Sequence, residues 1–137
     1  MTLSITSEVE VGEALKLLYA NIPEMVTYQT PSMNHDWIQW GIASFFVAGE
    51  RLEDGSLMGF AMARPIADPE RAYLDQYYYD FAGKFIYVDA LVSSGLERVK
   101  RLLQYGKSKF GAEHGIVFCR HGKYRVYRTN QLERLFK

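Results

Sequence analysis

The chain has 137 residues, 48% of them hydrophobic, which is the size and content of one domain able to bury a core without staples. Its 16 Lys/Arg and 16 Asp/Glu cancel, but unevenly: residues 1–83 hold 4 against 12 and residues 84–137 hold 12 against 4, about −8 and +8. The lone cysteine, Cys119, excludes an internal disulfide, and no stretch approaches the roughly 18 apolar residues of a membrane span. The opening residues lack the basic start and apolar run of a signal peptide, so a cytoplasmic protein is expected.

In chain order, Leu3–Thr6 reads as a short strand. Ser7 and Glu10 have capping-box spacing, and Val11, Ala14, Leu15 and Leu18 follow as a helical stripe to about Ala20. Asn21, Ile22 and Pro23 end that helix, and Met25 to Met33 reads as a loop. Asn34 is placed to cap a second, short helix carrying Trp37, Ile38 and Trp40. Ser44–Arg51 and Leu57–Arg64 are β-like, with hairpin turn chemistry in Glu53, Asp54 and Gly55 between them.

Asp68 before Pro69 is an N-cap followed by proline at the first helical position, and Tyr73, Leu74, Tyr77, Tyr78 and Phe81 keep helical spacing until Gly83. Lys84–Val92 is an apolar strand with Asp89 inside it. Ser93, Ser94 and Gly95 then lead into a helix marked by Leu96, Val99, Leu102, Leu103 and Phe110 and closed by Gly111. Ile116–Arg120 and Tyr124–Arg128 form a second hairpin around His121, Gly122 and Lys123, and Leu132 and Leu135 mark a helical tail. Without repeat or linker, residues 1–137 are expected to form one α/β domain.

The succession of two helices, a hairpin, a helix, a strand, a helix and a hairpin resembles the GNAT superfamily of N-acetyltransferases. The likeness rests on FIYVDALVSSGLERVKRLLQYGKSKFG followed by GIVFCRHGKYRVY. It implies a mixed, mostly antiparallel central sheet flanked by helices, with acetyl-CoA or another acyl-CoA bound where the central strand meets its following helix. Leu91, Val92, Ser93, Ser94, Gly95 and Arg98 are the cofactor-binding residues it implies, because helix-terminal N–H groups suit a pyrophosphate. Lys100 and Arg101 lie near the same turns. The superfamily's glycine-rich turn, [RQ]-x-x-G-x-[GA], is represented only by Ser93-Ser94-Gly95.

A narrower similarity is to the toxin-activating lysine acyltransferases, which lack the glycine-rich turn and place an aspartate in a strand like FIDWIA and a histidine before the second helix. FIYVDAL offers Asp89, and His35 precedes Trp37. Some phage-encoded GNAT-like proteins also look similar, from Val88-Asp89 to Lys123-Tyr124-Arg125-Val126-Tyr127. That second likeness implies a catalytically silent component of an assembly with protein partners, as an oligomer, in a host cytoplasm or a virion.

Acyl transfer to nitrogen needs an unprotonated amine, and a lysine acceptor with a pKa near 10.4 must first lose a proton. In the enzymatic reading His35 takes that proton from an amine or protein substrate, Asp89 steadies the imidazolium, and a strand N–H near Leu91 or Val92 polarises the thioester carbonyl. In the structural reading His35 is a cap or surface residue, and Asp89 pairs with Arg125, Lys84 or backbone amides to offset its burial. The basic hairpin of Arg120, His121, Lys123, Arg125 and Arg128, with Tyr124 and Tyr127, could also track nucleic-acid phosphates while its tyrosines stack bases. His114 and His121 have no metal-ligand spacing, so no metal site is expected.

Overall fold

The first helix begins one turn later than the Ser7–Glu10 spacing predicts. In the computed structural model, which describes residues 4–93, 96–110, 115–120 and 123–128, β1 (Ser4–Thr6) is followed by α1 (Val11–Asn21). Glu10 is the N-cap, and its N–H donates to the Glu13 carboxylate at 3.2 Å. That carboxylate is fixed from outside the helix by Arg51, whose two terminal nitrogens each reach it at 2.7 Å. A distant cation therefore decides where the helix starts.

The stretch predicted as a loop holds one turn of helix, α2 (Met25–Tyr28), and the start of α3 (Pro31–Ala43). Thr30 caps α3, its hydroxyl accepting from the Met33 N–H at 3.2 Å, and Pro31 fills the first helical position where no N–H is needed. Asn34 is thus inside the helix rather than at its cap, and it is fully buried. Its amide donates to Tyr19 Oη and the Met25 carbonyl, both at 3.1 Å, and accepts from Gln29 Nε2 at 2.6 Å. A short side chain read as a cap is spent in tying three segments together.

Both predicted hairpins form. β2 (Val47–Arg51) and β3 (Leu57–Ile66) pair antiparallel, with Gly55 at φ +89° in the turn and Asp54 accepting from the Ser56 N–H. β5 (Gly115–Arg120) and β6 (Lys123–Tyr127) also pair antiparallel, from Ile116 opposite Tyr127 to Arg120 opposite Lys123. β1 pairs antiparallel with β2. Between the hairpins lie α4 (Pro69–Leu74), β4 (Phe85–Val92) and α5 (Leu96–Phe110), and β4 runs parallel to β5 from Phe85 opposite Gly115 to Val88 opposite Phe118. A parallel pair needs a crossover, and α5 supplies it. The six strands follow one another across the sheet in chain order.

The helix predicted from Asp68 to Gly83 stops at Leu74. Its start is as expected, with the Asp68 carboxylate accepting from the Glu70 and Arg71 N–H groups. Its end is set by Arg64, whose guanidinium takes the carbonyls of Ala72, Asp75 and Tyr78 at 2.9, 2.7 and 2.6 Å. Carbonyls so engaged no longer need helical N–H partners, and the chain beyond them turns on Asx bonds, Tyr77 N–H to Asp75 and Ala82 N–H to Asp80. The predicted tail at Leu132 and Leu135, and Gly111, lie outside the described residues.

Contacts gather the chain into two compact units. One comprises Met1–Met62 with Ala90–Arg98, and its core joins Ala14 and Leu18 of α1, Trp37 and Ile38 of α3, Val47 of β2, Phe60 and Met62 of β3, and Ala90 and Val92 of β4. The other comprises Ala63–Asp89 with Val99–Lys137, with Ile66, Ala72, Tyr87 and Val117 at its centre. The 3.6-residue period of α1 and the contiguous apolar runs of the strands bring these side chains to the inside.

Candidate active site

β4 ends in the strand-to-helix turn that the sequence singles out. Val92 is buried in the core of its unit, Leu91 is half-buried, and Ser93 follows before α5 starts at Leu96. Ser94, Gly95 and the side chain of Arg98 lie outside the described residues. The first N–H groups of a helix have no partner within the helix and carry the positive end of its dipole, which is the physical basis for holding an anion there. Lys100 is half-buried and Arg101 exposed, a turn further along α5.

Two residues that the sequence reading passed over support this turn. Glu50 on β2 is fully buried, and its Oε1 accepts from Ser93 Oγ at 3.0 Å. Its Oε2 has no hydrogen-bond partner among the described residues. Gly59 on β3 stands opposite Glu50 in the antiparallel register. A Cβ on Gly59 would lie 2.6 Å from the Val92 carbonyl oxygen and 3.3 Å from Ser93 Cα, so the absence of a side chain lets the end of β4 come close. The signal in the sequence was a glutamate at the end of the apolar run Phe45–Gly49, facing a glycine across a hairpin.

The Asp89 side chain is 4% exposed, and among the described residues it pairs with Arg64 rather than with Arg125, Lys84 or a backbone amide. Arg64 Nε donates to Asp89 Oδ2 at 2.8 Å, and the arginine side chain is 1% exposed. Burial pushes the Asp89 carboxyl up, to about 7, against the Arg64 charge and hydrogen bond, which hold it down. The Arg64 guanidinium also lies 4.8 Å from the Tyr87 ring centre, and burial raises that phenol above its usual range. An arginine in the apolar strand Phe60–Ile66 and an aspartate in another were two halves of one signal, of which only the aspartate was read.

His35 sits on α3 with its side chain half exposed, its Nδ1 3.7 Å from Asp36 Oδ1, a distance too long for a hydrogen bond. His35 and Asp89 belong to different units, each with its neighbour on its own unit. In the basic hairpin, Arg125 is exposed, whereas both tyrosines are engaged with other rings, Tyr124 with Tyr73 at 5.4 Å and Tyr127 with Phe118 at 5.7 Å. Among the described residues no group of three or more His, Cys, Asp or Glu is placed to hold a metal ion, and no helix is long and apolar enough to cross a membrane.

Solved structures of low sequence identity share this arrangement. The loading GNATL domain of CurA from Lyngbya majuscula superposes with a TM-score of 0.58 at 14% identity, over 88% of this chain and 67% of that one. An acetyltransferase of the GNAT family from Listeria monocytogenes gives 0.55 at 15% identity, over 98% and 83%. The fold is GNAT-like. No family model matches the chain, and no curated protein matches it in sequence. The element order was therefore a better guide than any motif, and the mixed, mostly antiparallel sheet it implied is present, with β4 and β5 parallel and β1/β2, β2/β3 and β5/β6 antiparallel.

Proposed function

We propose that this chain is an N-acyltransferase that takes its acyl group from a coenzyme A or acyl-carrier thioester and gives it to an amine, with a protein lysine as one acceptor of that class. The observation that carries this reading is the β4 turn: a GNAT-like strand-to-helix junction whose last strand residues are admitted by Gly59 and whose Ser93 is tied to a buried carboxylate. These residues fit the cofactor's pyrophosphate, because the start of the 15-residue α5 offers N–H donors.

Bound there, coenzyme A would supply an acyl group activated as a thioester. A single backbone N–H near Leu91 or Val92 acts on the carbonyl oxygen, where negative charge builds up as the amine attacks. His35 takes the proton from the amine, since it is the half-exposed imidazole on the unit that carries the turn. Asp89 is left out of the chemistry. Its carboxylate serves the Arg64 guanidinium, whose loss would leave the Ala72 and Tyr78 carbonyls and a buried charge without partners.

The test is calorimetric titration with acetyl-CoA and a long-chain acyl-CoA, then thiol release with a panel of amines and lysine peptides. Saturable binding with amine-dependent thiol release supports the proposal. No binding at millimolar thioester, or release independent of amine, overturns it. Loss of turnover in His35→Ala with unchanged acyl-CoA affinity supports the proton-accepting role, and undiminished turnover removes it.

A further inference from the structure

Glu50 is an unusual residue for its place. A carboxylate in the interior of a sheet is costly unless it is paired, yet the hydrogen bond its side chain makes among the described residues is to Ser93 alone. Gly59, opposite Glu50 in register, leaves its would-be Cβ site 3.5 Å from Glu50 Oε1 and lets Val92 and Ser93 approach. Ser93 directly follows the last residue of β4, and its hydroxyl is held by the buried Glu50 carboxylate.

We infer that Glu50 is the positioning residue of the acyl-CoA turn: it holds Ser93 by its hydroxyl, and so fixes the backbone where β4 ends. This deepens the acyltransferase reading and rests on it. Ser93 is then an anchor, and its side chain is not a phosphate ligand. Glu50 is also distinguished from a proton acceptor by its burial, because an amine substrate has no access to a carboxylate with no exposed surface. The oxygen that accepts from Ser93 is the only part of the carboxylate the role requires, and an amide provides the same oxygen.

The conservative variant therefore separates the possibilities. Glu50→Gln keeps an oxygen for Ser93 Oγ and should leave KM for acetyl-CoA and kcat within about twofold of the parent. Glu50→Ala and Ser93→Ala should each raise that KM about tenfold, the scale of one lost hydrogen bond to a charged group, and the double variant should be no worse than either alone. A large fall in kcat for Glu50→Gln with KM unchanged would make Glu50 a proton acceptor and overturn the inference. Additive losses in the double variant would overturn it as well.

Amide hydrogen exchange of residues 93–98 in the free protein reads the same anchor without any thioester. Faster exchange in Ser93→Ala and Glu50→Ala, restored in Glu50→Gln, supports the anchor even if the chain proves to bind no acyl-CoA. Unchanged exchange in all three variants, each folded by circular dichroism, rejects it even if the acyltransferase reading stands.

Discussion

Arg64 and Asp89 face each other from β3 and β4 with Nε to Oδ2 at 2.8 Å, and neither side chain has more than 4% of its surface exposed. The aspartate uses one guanidinium nitrogen, while the other two hold the carbonyls of Ala72, Asp75 and Tyr78. The pair is therefore a cross-brace that also ends α4. Arg64→Ala should cost about 3–5 kcal/mol, the scale for breaking a buried pair from one side. A buried ion pair replaced by hydrophobes is often neutral, but Arg64→Met with Asp89→Leu should stay destabilised, because the Ala72 and Tyr78 carbonyls lose their donor. Urea denaturation of the two variants checks both statements.

The Asp89 carboxyl is raised to about 7 in the folded chain, above its unfolded value near 4. The folded state then binds the proton more tightly, so this group's stabilisation is complete below about pH 4 and is lost as the pH rises through 7. Asp89→Asn cannot titrate. The stability of the parent relative to Asp89→Asn should fall between pH 4 and 7 and be flat on either side, as read by denaturant midpoints at pH 4, 5.5 and 7.5. A difference that grows with pH would show that the Arg64 charge outweighs burial.

Glu13 and Arg51 meet with two contacts of 2.7 Å, and the pair holds the Glu13 carboxyl down to about 2. The sign is opposite to that of Asp89: the contribution is present above the unfolded value near 4 and is lost as the pH falls through 2. Both side chains are partly in water, so Glu13→Gln should cost no more than about 1 kcal/mol. The loss should shrink in 1 M salt, measured by thermal melts at two salt concentrations.

Gly83 packs where a Cβ would lie 2.1 Å from both the carbonyl carbon and oxygen of Ile66 and 2.6 Å from the Ala67 nitrogen. Backbone atoms cannot step aside as a side chain can. Gly83→Ala should therefore destabilise by about 3 kcal/mol, near the upper end for overpacking. A loss of unfolding free energy of less than a quarter of that, from denaturant titration, would contradict the packing.

Gly59→Ala tests the approach of β3 to the candidate turn. The added methyl would fall 2.6 Å from the Val92 carbonyl oxygen and should push Val92 and Ser93 away. If the turn holds acyl-CoA, affinity should fall about tenfold or more by isothermal titration, since small misplacements of a binding group are costly. Unchanged affinity in a folded variant would place the thioester elsewhere.

The elements whose causes are local were legible in the order of residues. The Asp54-Gly55 hairpin, the Asp68-Pro69 start of α4 and the strand-turn-helix from Phe85 to Phe110 each follow from turn residues, caps and the spacing of apolar side chains, and their order carried the GNAT-like fold. Tertiary structure decided what depended on a partner far along the chain. Arg51 moved the start of α1 by fixing Glu13, Arg64 cut α4 short by taking its carbonyls, and Asn34 went from cap to buried linker of three segments. Asp89 was visible as a buried charge, but not its partner 25 residues away, nor the bond between Glu50 and Ser93 across 43 residues. A charge inside an apolar strand announces that something must compensate it, because desolvation is a local cost; which residue compensates it depends on how the strands lie side by side.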